Sequence, residues 1–246
     1  MIESQLHVRL NKFIADSGVC GRREADRLIA AGRVMVNGLP VTQLGMRVQP
    51  GVDQVTLDAK TIDGAPRTNR YIAFHKPVGC LTSRRDIRTG PQARATVYTH
   101  LPAQYHPLDP AGRLDFDSSG LLLLSDDGDW LNQITHPKFH VPKTYVTRLN
   151  RPPESAKLFC KALLEGMLFE PEGKTARAIR ADMLAPDVLQ LVLGTGFKRQ
   201  VRRMVAALGL RVIALKRTAI GGYALGDLPV GRVRELTPAD LALITC

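Results

Sequence analysis

Apolar positions in the first sixty residues fall at helical spacing, and from Tyr71 onward they come in short, strand-length runs. Residues 9–16 and 22–31 predict two short helices, the second with Ala25, Leu28 and Ile29 on one face. Gly32 stands where such a helix ends in a left-handed residue. VMVNGLPV (34–41) then sets Asn37-Gly38 between apolar residues. That is a strong hairpin signal, because both turn positions need a positive φ. The polar, Gly- and Pro-containing stretch DAKTIDGAPRTNR (58–70) reads as a connection. These features divide the chain into a small domain (1–62), a linker (63–70) and a larger domain (71–246).

Beyond the linker, YIAF (71–74), LLLLS (121–125), TYVTRL (144–149) and VLQLVL (188–193) predict strands. Helices are predicted over 129–134 and 198–208. In the latter, Val201, Met204, Val205 and Leu208 follow i, i+3, i+4, i+7 spacing. Strands mixed with helices, not in strict alternation, predict an α+β fold around a mainly antiparallel sheet.

Composition adds a partner. Across 246 residues, 34 Lys and Arg stand against 23 Asp and Glu, a formal net charge of +11. That balance argues for a polyanion, nucleic acid before membrane. The charge is also segregated. Between Val188 and Gly226 there is no acid, but there are Lys198, Arg199, Arg202, Arg203, Arg211, Lys216 and Arg217. A second stretch holds Arg67, Arg70, Lys76, Arg84, Arg85, Arg88 and Arg94 against Asp86 alone. One-signed segments suit phosphate binding, whereas a solvated helix face usually mixes both signs. In the small domain, Arg9, Lys12, Arg22, Arg23, Arg27 and Arg33 form a weaker cluster, diluted by Glu24 and Asp26. Cys20, Cys80, Cys160 and Cys246 lie far apart with no Cys-x-x-Cys spacing, so no zinc site or redox pair is expected. MIESQLHVRLNK lacks the apolar core of a signal peptide, and no apolar run approaches the roughly 20 residues of a membrane span. A soluble, cytoplasmic protein without membrane association is expected.

Candidate chemistry sits in AGRLDFDSSGLLLLSDDGDW (111–130), where a polar loop precedes an apolar run. Loops on rigid scaffolds often present catalytic groups. By composition alone, however, Asp115, Asp117, Asp126, Asp127 and Asp129 all read as turn formers. Two other readings remain open at this level. One is a glycosidase or nuclease using Asp115 and Asp117 as a carboxylate pair or metal ligands. The other is an RNA-binding protein with no enzymatic role.

GRLDFDSSGLLLLSDDGD resembles the central motif of pseudouridine synthases, of the RsuA/RluB-type branch. The resemblance continues in HKPVGCLTSRRD (75–86), KTYVTRL (143–149) and GTGFKRQVRRMVAALG (194–209). Residues 9–38 are similar to S4-type RNA-binding domains, which precede the catalytic domain in that branch. The resemblance covers almost the whole chain, in the family's order. It implies an S4-like helical and hairpin domain ahead of a catalytic domain with a mainly antiparallel mixed sheet and flanking helices. It also implies an isomerase (an intramolecular transferase) that converts one uridine of ribosomal RNA to pseudouridine. The branch includes enzymes for both ribosomal subunits, and 23S is slightly favoured over 16S. The alternative is a non-enzymatic rRNA-binding assembly factor, which would not need Asp115, Tyr145 and Arg202 together.

The same resemblance assigns roles. Asp115 matches the Asp that frees the base, by attack on the sugar or by proton abstraction. Tyr145 matches the tyrosine that stacks on the uracil, and Arg202 the basic residue that pairs with the catalytic Asp. Val201 matches an apolar position of the base pocket, and Arg113 one that supports the flipped nucleotide. Arg199, Arg203 and Lys76 are expected to bind substrate, and Arg9, Lys12, Arg22, Arg23 and Arg33 to bind RNA from the S4 unit. No metal and no cofactor are implied, because the reaction neither changes oxidation state nor transfers a group between molecules. The partner is ribosomal RNA or a ribosomal subunit precursor, and the enzyme is expected to act as a monomer. Two positions depart from the branch's pattern: His75 stands where Asn is usual, and RTGPQARATVY (88–98) is looser than the common Gly-Arg-Pro-Thr-Val form.

Overall fold

A computed structural model describes residues 7–63 and 68–245, leaving Arg67 and Cys246 outside the described residues. Contacts divide the chain between Asn69 and Arg70 into two units. In the first, helices α1 (Leu10–Asp16) and α2 (Arg22–Ala30) pack on a sheet formed by β1 (Val34–Val36), β2 (Leu39–Val41), β3 (Val55–Leu57) and Lys60–Thr61. Leu10, Ile14, Ala25, Ile29, Val34 and Val55 fill its core. Helix α1 starts one residue later than the spacing predicts, because Arg9 is extended and acts as the N-cap. The β1–β2 turn carries Asn37 at φ 52° and Gly38 at φ 80°, both left-handed as the hairpin signal requires.

The second unit is built on strands β4 (Tyr71–Lys76), β5 (Ser119–Ser125), β6 (Lys143–Leu149), β7 (Arg180–Ala185), β8 (Val188–Leu193), β9 (Val212–Ile220) and β10 (Val233–Glu235). They form one sheet in the order β7-β8-β6-β9-β5-β4-β10, with Asp109–Pro110 and Tyr223–Ala224 pairing at its side. Every pairing is antiparallel except β9 with β5. The run Leu121–Leu124 has no period of two because both faces of β5 are covered. Leu121 and Leu123 pack with Trp130, Ile134 and Ile220, while Leu122 and Leu124 pack with Ile72, Phe74 and Val97.

The flanking helices are α3 (Gly128–Thr135), α4 (Ala156–Glu165), α5 (Gln200–Ala207) and α6 (Pro238–Thr245). Asp127 caps α3, accepting from the backbone N–H groups of Asp129 and Trp130, so it serves local structure as its loop composition suggests. Helix α5 is shorter than the predicted 198–208, because Arg199 is left-handed at φ 52° and stands outside it. Its buried stripe is Val201, Met204 and Val205.

One close approach joins this frame to the polar loop. Gly120, at φ 111°, lies against the backbone of Arg217 in the parallel pairing of β5 and β9. A Cβ there would stand 2.2 Å from the Arg217 carbonyl oxygen.

Candidate active site

The loop that leads into β5 is fixed from behind. Thr82 Oγ1 donates to the Leu114 carbonyl at 2.8 Å, and Leu114 itself is buried. Lys76, at the end of β4, is fully buried. Its Nζ donates to the carbonyls of Pro77 (2.9 Å), Asp115 (3.1 Å) and Ser118 (2.9 Å). Burial pushes the Lys76 ammonium below its ordinary range, although the nearby Asp115 and Asp117 favour its charge. The expectation that Lys76 binds substrate is therefore corrected. All three donors of the ammonium are used on backbone carbonyls, two of them in the Asp115 loop.

The loop opens onto a cavity of about 290 Å³, close to the lower end of ligand-site volumes. Its wall carries Arg113, Asp115, Lys143, Tyr145, Lys198, Arg199, Val201 and Arg217. Asp115 is the single acidic side chain among the described residues of that wall, facing five cations. Tyr145 sits on the central strand β6, opposite Leu191 of β8 and Arg217 of β9. The loop 194–198 is held by Gln200, which is buried at the start of α5. Its Nε2 donates to Thr195 Oγ1 at 2.9 Å, and its Oε1 accepts from the Phe197 N–H at 3.0 Å.

The arginines of α5 go elsewhere than their resemblance implies. Arg202 does not pair with Asp115. Its Nη2 donates to the Asp117 carbonyl at 2.9 Å and lies 3.2 Å from the Asp117 carboxylate, and its Nη1 donates to Val212 O at 3.1 Å. Arg199 grips the same carboxylate through both Nη atoms, at 3.2 and 3.1 Å, and lies 4.0 Å from Asp115. Arg199 is left-handed and stands outside α5, while Arg202 lies within it, and both guanidinium groups meet at Asp117. Arg203 points to Glu172, at 2.7 Å, and lies 3.6 Å over the Phe169 ring, so it does not line the cavity. It is corrected from a substrate contact to a packing residue.

Asp117, read from sequence as a turn former, instead joins the Asp115 loop to α5 and the residue before it. Burial raises its carboxyl, but the Arg199 hydrogen bonds and the two arginine charges outweigh this and hold it below the usual range. The one available signal was its place two residues after Asp115. Asp117→Ala is expected to lower the single-turnover rate about tenfold or more, by releasing both arginines beside Asp115. The Arg199 pair is exposed and worth only about 0–1 kcal/mol, but the Arg202 guanidinium is mostly buried, so a modest fall in thermal stability is expected alongside the loss of rate. A rate equal to the unsubstituted protein's would contradict this.

Lys143, the first residue of β6, also lines the cavity. Its Nζ donates to Ile134 O and Val141 O, each at 2.7 Å. Burial first, and then the charge of Arg217, bring its pKa down to about 8 from 10.5. The folded protein thus binds fewer protons at this site than the unfolded chain from about pH 8 to about 10.5. The Lys143 contribution to stability accordingly rises with pH across that window. Side-chain NMR titration is expected to find the midpoint near 8, and a midpoint near 10.5 would refute the assignment.

In the small unit, Arg9, Arg22 and Arg23 are exposed and no carboxylate pairs with them among the described residues. Lys12 pairs with Asp16 at 2.7 Å, and Arg33 pairs with Asp58. Elsewhere, His75 is buried with Nδ1 2.7 Å from Leu228 O, a structural position. No helix among the described residues is long and apolar enough to cross a membrane.

An α+β sheet that places one carboxylate and one tyrosine in the lining of a cationic cavity is the frame the family comparison identifies as that of an RNA-modifying enzyme. The RNA pseudouridylate synthase family matches residues 70–207, and the S4 domain family matches residues 8–53. The chain therefore belongs to the RNA pseudouridylate synthases, in the RsuA/RluB-type branch with an N-terminal S4 domain. It is 38% identical over 239 residues to the ribosomal large subunit pseudouridine synthase B of Bacillus subtilis, covering 95% of this chain and 93% of that protein. It is 34% identical over 237 residues to the dual-specificity RNA pseudouridine synthase RluF of Escherichia coli K12, covering 95% and 77%. A crystal structure of a pseudouridylate synthase superposes with a TM-score of 0.69 at 31% identity, covering 96% of this chain and 99% of that one.

Proposed function

We propose that the chain isomerises one uridine of ribosomal RNA to pseudouridine, with the large-subunit RNA favoured over the small. Asp115 is the catalytic carboxylate, and Tyr145 stacks on the target uracil. The observation that carries this reading is their presence in the lining of one cavity, where Asp115 is the only acid beside five cations among the described residues. A uridine in a stacked helix must leave the stack to enter such a cavity, at a few kcal/mol. Stacking on an aromatic ring returns about 1–3 kcal/mol. Asp115 then attacks the sugar or abstracts a proton, the C1′–N1 bond breaks and the uracil turns; C5 joins C1′ as the Asp115 bond breaks or the sugar proton returns, and the C5 proton is lost while N1 gains one. Arg113 and Val201, on the same wall, support the nucleotide and the base. Arg199 and Arg202 act as a pair anchored on Asp117, placing positive charge beside Asp115.

Arg9, Arg22 and Arg23 supply exposed positive charge in the small domain for docking on RNA phosphates. Lys12 and Arg33 contribute to that surface while sharing charge with Asp16 and Asp58. The metal-dependent nuclease reading loses support because Asp117, its second carboxylate, is engaged by two arginines. Incubating the purified protein with 23S and with 16S rRNA, then mapping pseudouridine chemically, tests the proposal. One new pseudouridine at a single position of 23S rRNA, formed equally well with EDTA present, is expected. Modification of 16S alone would overturn the subunit preference, and modification of neither would overturn the substrate.

A further inference from the structure

Strand β9 carries a charge where strands rarely keep one. Arg217 is only 4% exposed, and it lines the cavity beside Asp115 and Tyr145. It stands directly opposite Tyr145 in the β6–β9 register, so the two side chains share one face of the sheet. Its Nε donates to the Leu121 carbonyl at 2.7 Å, while its buried Nη2 has no hydrogen-bond partner among the described residues. No carboxylate pairs with it among those residues. Its charge acts on Lys143 and Lys76, both cations.

A guanidinium keeps its charge when buried. Burying one without a counter-ion, next to two ammonium groups, is costly for folding alone. Such a cost is reasonable where an anion forms during function. Breaking the C1′–N1 bond supplies one. Both electrons of the bond leave with the uracil and spread over N1, O2 and O4. The sugar carbon is made good either by a bond to the Asp115 carboxylate or by loss of a sugar proton. Later the ring's electrons form the C5–C1′ bond as the Asp115–C1′ bond breaks, or as the abstracted proton returns to the sugar; the C5 proton then leaves and N1 is protonated, so no atom is gained or lost overall.

We propose that Arg217 is a further catalytic residue. Its guanidinium donates to a carbonyl oxygen of the target uracil and stabilises the negative charge that the ring gains as it leaves the sugar. This rests on the cavity being the uridine site. Donors aimed at developing charge in a dry site are the type of group whose loss costs about 10²–10³-fold in rate. Tyr145 holds the ring by its face, and Arg217, the neighbouring side chain on that face, holds it by an edge. The tight Gly120 contact then acquires a purpose, since it seats the Arg217 backbone against the strand that follows the Asp115 loop.

The test compares Arg217→Met with the unsubstituted enzyme on its RNA under single-turnover conditions. Methionine fills the buried channel without charge. The rate is expected to fall about 100-fold or more, while RNA affinity, set mainly by phosphate contacts, stays within about threefold. The same RNA carrying 5-fluorouridine at the target separates catalysis from packing. Fluorine makes uracil a better leaving group, so consumption of the 5-fluorouridine should show a defect of only about tenfold or less, because less charge needs the guanidinium. Equal defects with both nucleotides would overturn the proposal, as would a Met variant as fast as the unsubstituted enzyme. Should Arg217→Met not fold, Arg217→Lys carries the same comparison, with a smaller defect that 5-fluorouridine again relieves. If the unsubstituted protein leaves every uridine of the RNA unchanged, the uridine reading itself fails, an outcome distinct from all of these.

Discussion

Asp115→Asn is expected to lose pseudouridine formation by about 10⁴-fold or more while binding rRNA as the unsubstituted protein does. The substitution keeps the size of the side chain and removes its charge. The backbone at Asp115 is held by Lys76, and the neighbouring Leu114 by Thr82, so the loop has no reason to move. What is lost is an ionised group able to attack carbon or take a proton, and no other acid lines the cavity among the described residues. RNA affinity comes from phosphates and from the spread of basic residues over the chain, which the substitution does not touch. The single-turnover rate and the filter-binding Kd, measured on one RNA, separate the two effects. A Kd that weakened in step with the rate would assign Asp115 to binding.

Gly120→Ala should be as severe for a different reason. The added Cβ would stand 2.2 Å from the Arg217 carbonyl oxygen and 2.5 Å from its nitrogen, at a φ of 111° that side chains rarely adopt. Neither atom belongs to a flexible side chain, so the β5–β9 pairing itself must open. Lys216 pairs with Ser119 and Arg217 with Gly120 in that join, the one parallel pairing in the sheet. Destabilisation of more than about 4 kcal/mol is expected, enough to prevent cooperative unfolding of the catalytic unit from being seen at ordinary temperature. Circular dichroism during thermal unfolding measures this. A melting temperature within a few degrees of the unsubstituted protein's would show that the contact is easily relieved.

Much of the frame was legible in the sequence because its cues are local. Asn37-Gly38 marks a turn by its own backbone preference, and VLQLVL is a strand over its whole predicted length. Leu121–Leu124 was legible as a strand, and the structure supplies the reason for its unbroken apolarity, burial on both faces. Strand β9 was not legible, since Lys216 and Arg217 interrupt its apolar run and the burial of Arg217 depends on a distant strand. Helix α4 escaped as well: of its ten residues only Phe159 and Leu163 are buried, too few to make a stripe.

The site divides along the same line. Arg113, Asp115, Tyr145, Arg199 and Val201 do come together on one cavity wall. The partners of the charged residues were not readable, because an arginine's reach spans several acids and only tertiary structure selects among them. Arg202 chose Asp117 over Asp115, Arg203 chose Glu172, and Lys76 chose three carbonyls. Each choice depends on residues far apart in the chain, which leave no periodic signal.

The central claim is that this cavity converts one rRNA uridine with Asp115 as its carboxylate. Mapping pseudouridines in rRNA from cells lacking the gene, with the gene restored, and with Asp115→Asn restored, tests it most directly. One position should lose its pseudouridine in the deletion, regain it with the intact gene and remain uridine with the Asn protein. Full modification by the Asn protein, or an unchanged map in the deletion, would contradict the account.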